Sequence, residues 1–190
     1  MTHRSRLLHI ATLLLALATS ACVTSPPTSG KSTLGGPLTL ADQGSFFVGG
    51  RKINSDYTAA PMAALLKPGQ ITVDQMYVQY MIPAAVRGVP VVMMHGFNHT
   101  GVTFETTPDG REGWATYFVR KGHPVYVVDQ PGRGRSGFDP TPFNRAKVAG
   151  DVNGQPSVPM YPMASAWVNF RFGKEYPTAF PGLQFPLDSP

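Results

Sequence analysis

The sequence predicts an α/β fold, and three kinds of stretch carry that prediction. VPVVMM at 89–94 and PVYVVD at 124–129 are continuous apolar runs, the pattern of strands covered on both faces in a parallel sheet. ITVDQMYVQYMI at 71–82 alternates instead. It sets Val73, Gln75, Tyr77, Gln79 and Met81 on one face and Asp74, Met76, Val78 and Tyr80 on the other, so it reads as a strand with one wetter face. Between the two apolar runs lies a helical signal. Asp109 and Glu112 resemble a capping box, Trp114, Phe118 and Lys121 follow at helical spacing, and Gly122 stands where a C′ glycine belongs. Trp114 and Phe118, four apart, share a face expected to pack on the sheet. Strand, helix and strand make a right-handed crossover unit.

In chain order, the first element is a targeting segment. MTHRSRLLHIATLLLALATSAC has a basic start, an apolar run from Leu7 to Ala18 and small residues before the only cysteine, which is the organisation of a secretory signal at 1–21. The run is too short to span a bilayer. Small residues directly before Cys22 resemble a bacterial lipobox, so Cys22 is expected to become the lipidated first residue of an exported, periplasmic or cell-surface protein. The plainer alternative is an ordinary cleaved signal with an incidental cysteine. Residues 22–44 are rich in Ser, Thr, Pro and Gly and read as a flexible tether. The folded domain is expected over 45–138, opening with a short strand SFFVGG at 45–50, and a Pro- and aromatic-rich segment follows over 139–190.

Composition narrows the function. In 190 residues, 42% hydrophobic and 14% charged content suits one folded domain rather than a disordered chain. The 20 glycines and 19 prolines call for long connections between regular elements. The net charge of +5 falls to +3 without Arg4 and Arg6, which lie in the expected signal. The other basic residues form no stripe and no aromatic-basic pattern, so nucleic acid is not an expected partner. There is no metal-ligand cluster, and no cofactor is needed by the chemistry considered below.

Two loops hold the candidate site residues. The first apolar run ends at Met94, and HGFNHTG follows before a helix expected near Gly110, a longer connection than the ~2–6 residues usual in such units. In open α/β sheets the carboxyl ends of parallel strands form the ligand crevice, so His95-Gly96-Phe97 stands where a substrate would sit. Gly96 lets the backbone turn sharply there. His99 reads as a solvated loop residue, and Asn98-His99-Thr100 matches a glycosylation sequon. The second loop is Asp129 followed by QPGRGRSG, with Gly132, Gly134 and Ser136. Its spacing fits neither a phosphate-binding loop nor a dinucleotide fingerprint. It reads as a structural turn, its glycines allowing positive φ and its serine bonding nearby backbone.

DQMYVQYMIP, PVVMMHG and TFETTPDGREGWATYFVRKGHPVYVVDQPGRGRS, in that order, resemble the N-terminal half of an α/β-hydrolase. The resemblance is to bacterial secreted esterases of the Alcaligenes type, over about residues 40–187. It implies a mostly parallel sheet with helices on both faces, followed by the start of a cap. It also implies hydrolysis of a small-molecule carboxylic ester by a Ser-His-acid triad. The nucleophile of that family sits in Gly-x-Ser-x-Gly at a strand-to-helix elbow, and the oxyanion is held by two backbone N–H groups, one of them from the HG loop. By position that donor is the N–H of Phe97, with His95 and Gly96 supporting the loop. His95 is not expected to be the catalytic histidine, which follows the serine in this fold.

No Gly-x-Ser-x-Gly occurs in the 190 residues, and Ser136, in Gly134-Arg135-Ser136-Gly137-Phe138, lacks the second glycine. SAWVNFRFG and FPGLQFP resemble family segments that precede the nucleophile strand. The sequence is therefore expected to hold the N-terminal portion of an esterase, inactive alone. Two alternatives stay open: a short lipoprotein that binds or scaffolds without catalysis, and a dehalogenase-like or epoxide-hydrolase-like protein whose nucleophile is an Asp.

Overall fold

The computed structural model describes residues 35–55 and 69–187. The expected signal segment and Cys22 lie outside the described residues. β1 (Leu40–Ser55) and β2 (Gly69–Pro83) form a long antiparallel hairpin, and β2 also pairs antiparallel with β4 (Val125–Asp129). β3 (Val91–Met94) runs parallel to β4, giving the strand order β1-β2-β4-β3. The sheet is thus mixed, with its parallel character confined to the β3–β4 pair, because a hairpin supplies the other two strands. The two apolar runs end in the structure at Met94 and Asp129, where the sequence set them.

The hairpin is longer than its sequence signals. β1 starts at Leu40, and Asp42–Gly44 pair with Ile82–Tyr80, so the expected tether over 22–44 loses its last residues to the sheet. Composition hid them: Asp42, Gln43 and Gly44 carry no apolar alternation, and pairing with β2 rather than burial makes them a strand. β1 runs on past the glycine pair that was expected to close it, because Gly49 and Gly50 take φ of 69° and 88° inside the strand. Asp74, on the facing strand, has φ 57°. The kink changes which side is buried. Val73 (1% exposed) and Val78 (4%) sit on opposite faces by simple alternation yet are both core residues, so the expected division into a wet and a dry face does not hold across Asp74.

The core lies between the sheet and α1 (Trp114–Arg120). Val125 and Val127 of β4 and Met93 of β3 pack with Ala115 and Val119 of the helix, and Phe118, Phe104 and Met81 close the edges. Trp114, expected in this core, is 67% exposed. The helix explains the shift, since it begins after Gly113, whose φ −82° and ψ 175° are extended, and its buried pair is 115 and 119 rather than 114 and 118. The expected capping box also takes another form. Asp109 accepts from the Thr107 hydroxyl at 2.5 Å and from Arg111 Nε at 2.7 Å inside a small turn closed by the Thr106–Glu112 bridge. Glu112 accepts from Arg120 Nε at 2.6 Å. Gly122 closes the helix as read, with φ 91° and its N–H donated to Val119 O at 2.9 Å.

On the opposite face Val78 and Val128, register partners, are buried at 4% exposed, while the β3 edge is open. Val92 and Met94, on β3 but pointing away from α1, are 65% and 56% exposed, so β3 is covered on one face and forms a sheet edge. Of the helices expected on both faces, α1 packs on the face of Met93, Val125 and Val127. α2 (Thr141–Ala149) and α3 (Met163–Asn169) belong to the segment beyond the sheet. There Trp167, 8% exposed, meets Phe172 and Tyr176 edge-on with centroids 5.4 Å away, and Phe172 stacks on Phe185 at 4.9 Å. The two sides of β3 should respond differently to truncation. Met93→Ala is expected to cost about 2–5 kcal/mol in a urea melt, and Val92→Ala within about 0.5 kcal/mol, as for surface changes.

Candidate active site

β3 and β4 run parallel, so their carboxyl ends emerge side by side, and both loops singled out in the sequence begin there. The chain leaves β3 into a turn in which the His99 N–H donates to Gly96 O at 3.1 Å. Asn98 takes φ 67°, a left-handed conformation that asparagine tolerates better than most side chains. Both polar atoms of the Asn98 amide are buried, which speaks against use of the sequon. Thr100 then opens a 3₁₀ turn over Gly101–Phe104, its hydroxyl accepting from the Val102 N–H.

His95 ties the two strand ends together. The residue is 3% exposed, its Nδ1 lies 2.8 Å from Gly96 O, and its Nε2 accepts the Gln130 N–H at 3.0 Å. Those partners assign the tautomer: Nε2 accepts, so the proton is on Nδ1 and goes to Gly96 O. Gln130 Nε2 returns a bond to His95 O at 2.7 Å. Both ring nitrogens are engaged in holding the loop, and neither is left to move a proton. Phe97, next along, is 58% exposed, and its N–H donates to no partner among the described residues. Its ring meets Tyr161 edge-on at 6.5 Å and lies under the Arg133 guanidinium at 5.5 Å.

The second loop is organised by Asp129, which is fully buried. Its Oδ1 accepts the Gly101 N–H at 2.6 Å, and its Oδ2 accepts the Arg135 N–H at 2.9 Å and Arg135 Nε at 2.8 Å. Burial disfavours the charged carboxylate, but the Arg135 side chain and the two backbone donors outweigh it and hold Asp129 below the ordinary carboxylate range. Arg135 also bonds Gln79 Oε1 at 2.9 Å and lies 4.1 Å over the Tyr77 ring. Gly134 must be glycine, because a Cβ there would come within 2.5 Å of Asp129 Oδ2 and its φ is 52°. One carboxylate thus fastens the end of β4 to both loops.

Ser136 fills a backbone role. Its hydroxyl donates to Asp129 O at 2.5 Å and accepts the Tyr77 N–H at 2.8 Å, joining β2 and β4 at the level where Tyr77 and Asp129 are register partners. With its proton given and a lone pair used, it has no base beside it to make it a nucleophile. Ser136→Ala leaves a strand-end N–H and C=O without partners and is expected to cost about 1–3 kcal/mol in thermal or urea unfolding. Among the described residues no group of three His, Cys, Asp or Glu could hold a metal ion.

The structure therefore brings His95, Gly96, Phe97, Asp129, Gly132, Gly134 and Ser136 to one end of the sheet. Sequence reasoning missed Gln130, which grips His95 at two points, and Arg135, the partner of Asp129. A pattern of arginine six residues after a strand-ending aspartate was the available signal.

A solved bacterial esterase, described as novel and determined at atomic resolution, matches with a TM-score of 0.74 and 47% identity over 80% of this chain and 48% of its own. The chain is a relative of the bacterial esterases. Its four strands and helices are part of an α/β-hydrolase fold. A probable secreted lipase, phiG, of Fungal sp. (strain ATCC 74256) is 41% identical over 66 residues, which are 34% of this chain and 18% of that protein. No family model matches the sequence. The chain spans about half the length of the esterase and less than a fifth of the lipase. As a relative of hydrolases, it presents the HG turn at the crevice end of its parallel strands.

Proposed function

We propose that this chain carries the oxyanion half of a carboxylic-ester hydrolase, with the backbone N–H of Phe97 as one of the two donors. The single observation behind this reading is the state of the HG turn. His95 is locked between Gly96 O and the Gln130 N–H, while the Phe97 N–H beside it has no partner among the described residues. A donor held rigidly and kept free is what a tetrahedral intermediate requires, since it stabilises developing charge without reorganising. Gly96 keeps a side chain out of the approach. His95 and Gln130 position the turn, and Asp129 and Arg135 hold the second loop against it.

Cleavage of the ester needs a serine to attack the carbonyl and a histidine to take its proton and return it to the leaving alcohol. These 190 residues contain no Gly-x-Ser-x-Gly, Ser136 is bonded to backbone, and His95 is bonded at both nitrogens. By themselves they are expected not to turn over an ester. The segment 139–190 is read as the start of a cap, and the Tyr161–Phe97 contact supports that by joining it to the HG turn. A non-catalytic binding or scaffolding role is the second reading, favoured by the same absence of a nucleophile in this stretch.

The export reading rests on residues 1–22 and is supported by the secreted lipase among the relatives. Cleavage before Cys22 and lipid attachment to its sulfur follow from the lipobox-like order, and anchor the protein to a membrane in the periplasm or at the cell surface. Metabolic labelling with palmitate is expected to mark the wild type and not Cys22→Ser. Unlabelled wild-type protein released freely into the periplasm contradicts the anchor.

A further inference from the structure

A cavity of about 490 Å³ opens beside the loop that follows β4. Phe138, Phe143 and Val158 and three prolines line it, and with Phe138 57% and Val158 62% exposed it is an open groove. Its charged lining consists of Asp74, Asp139 and Arg133. Both carboxylates are already engaged by Arg51, whose Nε lies 2.9 Å from Asp74 and whose Nη2 lies 2.7 Å from Asp139. Arg133 differs from them. Among the described residues its guanidinium has no carboxylate partner, and its recorded contact is the face of the Phe97 ring at 5.5 Å.

The main chain of Arg133 is fixed. Its N–H donates to Gln130 O at 2.9 Å and its carbonyl accepts the Ser136 N–H at 2.9 Å, between Gly132 and Gly134 with φ of 75° and 52°. A fixed turn therefore delivers an arginine whose guanidinium has no hydrogen-bond partner among the described residues to the wall of this groove, above the residue proposed to offer the oxyanion N–H. A surface arginine serving solubility alone needs neither the fixed turn nor the aromatic platform. The planar fork of five N–H donors matches a carboxylate in two-point geometry, and an aromatic face beneath it holds that plane in orientation.

We propose that Arg133 is a specificity-determining residue that reads a carboxylate on the substrate, so that the preferred ester carries an anionic group at the end of an apolar arm. A half-ester of a dicarboxylic acid has that form: the free carboxylate meets Arg133 at the wall of the groove, and the arm leads back past the Phe97 ring, on which the guanidinium rests, to the ester end at the HG turn. The inference rests on the esterase reading of that turn but is tested without turnover.

The full chain is titrated at pH 7 with monoethyl suberate and with its neutral counterpart diethyl suberate, following binding by NMR shift changes. The half-ester is expected to bind about tenfold more tightly, as one charge-assisted two-point contact would give. Arg133→Gln should erase that preference, Arg133→Lys should keep part of it, and Arg145→Gln, the same charge change on α2, should leave it intact. Equal affinity of the two esters for the unaltered chain overturns the inference, as does a preference that survives Arg133→Gln. Neither result touches the hydrolase reading, which stands or falls on the oxyanion donor. Failure of both esters to bind rejects the cavity as a subsite altogether.

Discussion

Asp129→Ala is expected to destabilise the chain by about 2–6 kcal/mol, chiefly the cost of leaving two backbone donors unpaired at about 1–3 kcal/mol each, since its ion-pair partner Arg135 is 38% exposed and adds little. The loss is large because one carboxylate serves three donors. Without it the Gly101 and Arg135 N–H groups are left unpaired and the guanidinium of Arg135 loses its anchor, so both loops come away from the end of β4. Asp129→Asn keeps an acceptor and the side-chain volume, and its cost should be smaller, about 1–3 kcal/mol. Urea denaturation of the two variants beside the wild type measures both. The pH dependence follows from the sign of the shift. The folded carboxyl has a lowered pKa, so its stabilisation is complete above the unfolded value of about 3.9 and is lost as pH falls through the folded value. Wild type should therefore lose more stability than Asp129→Asn over that acid window, the other carboxylates being common to both.

Much of this arrangement was legible in the residues. The continuous runs VPVVMM and PVYVVD set the ends of β3 and β4, with Met93, Val125 and Val127 buried against α1 and Val128 buried on the other face, while Val92 and Met94 are exposed in this stretch, so the expected cover on both faces holds for β4 and not for β3. Gly122 marked the helix end, since a left-handed residue after a helix is strongly selected for glycine. The loop glycines marked the turn after Asp129 for the same steric reason. What misled was local chemistry that serves two structures equally well. Asp109 and Glu112 have the spacing of a capping box, but Gly113 is pressed so closely on the preceding segment that a Cβ there would meet Phe104 O at 2.4 Å. That long-range contact delays the helix and turns Trp114 outward. The extent of β1 was likewise invisible, because Asp42, Gln43 and Gly44 are held by backbone pairing, which leaves no pattern in side chains. Of the site, the turn was readable and its clamps were not: Gln130 and Arg135 act through bonds across loops.

Phe97→Pro is expected to lower kcat by about 10²–10³ in a longer chain that supplies a Gly-x-Ser-x-Gly elbow, the usual cost of losing one oxyanion donor. Proline has no N–H to give. Phe97→Ala keeps the donor and removes the ring under Arg133 and beside Tyr161, so its effect should fall on KM more than on kcat. The contrast between the two substitutions separates the backbone group from the side chain. Equal tolerance of both at 97 means that the HG segment is a turn and nothing more. Thermal melts of the two variants accompany the kinetics, so that a folding defect of the proline variant is seen as one.

The purified 190-residue chain, assayed with p-nitrophenyl butyrate in the presence and absence of a serine-directed organophosphonate, tests the half-site directly. The predicted result is a rate equal to the uncatalysed background in both conditions, with no covalent adduct on the chain by mass spectrometry, because a stabilised oxyanion is of no use without a serine to form it. Turnover above background that the phosphonate abolishes, with an adduct on a serine of this sequence, contradicts it.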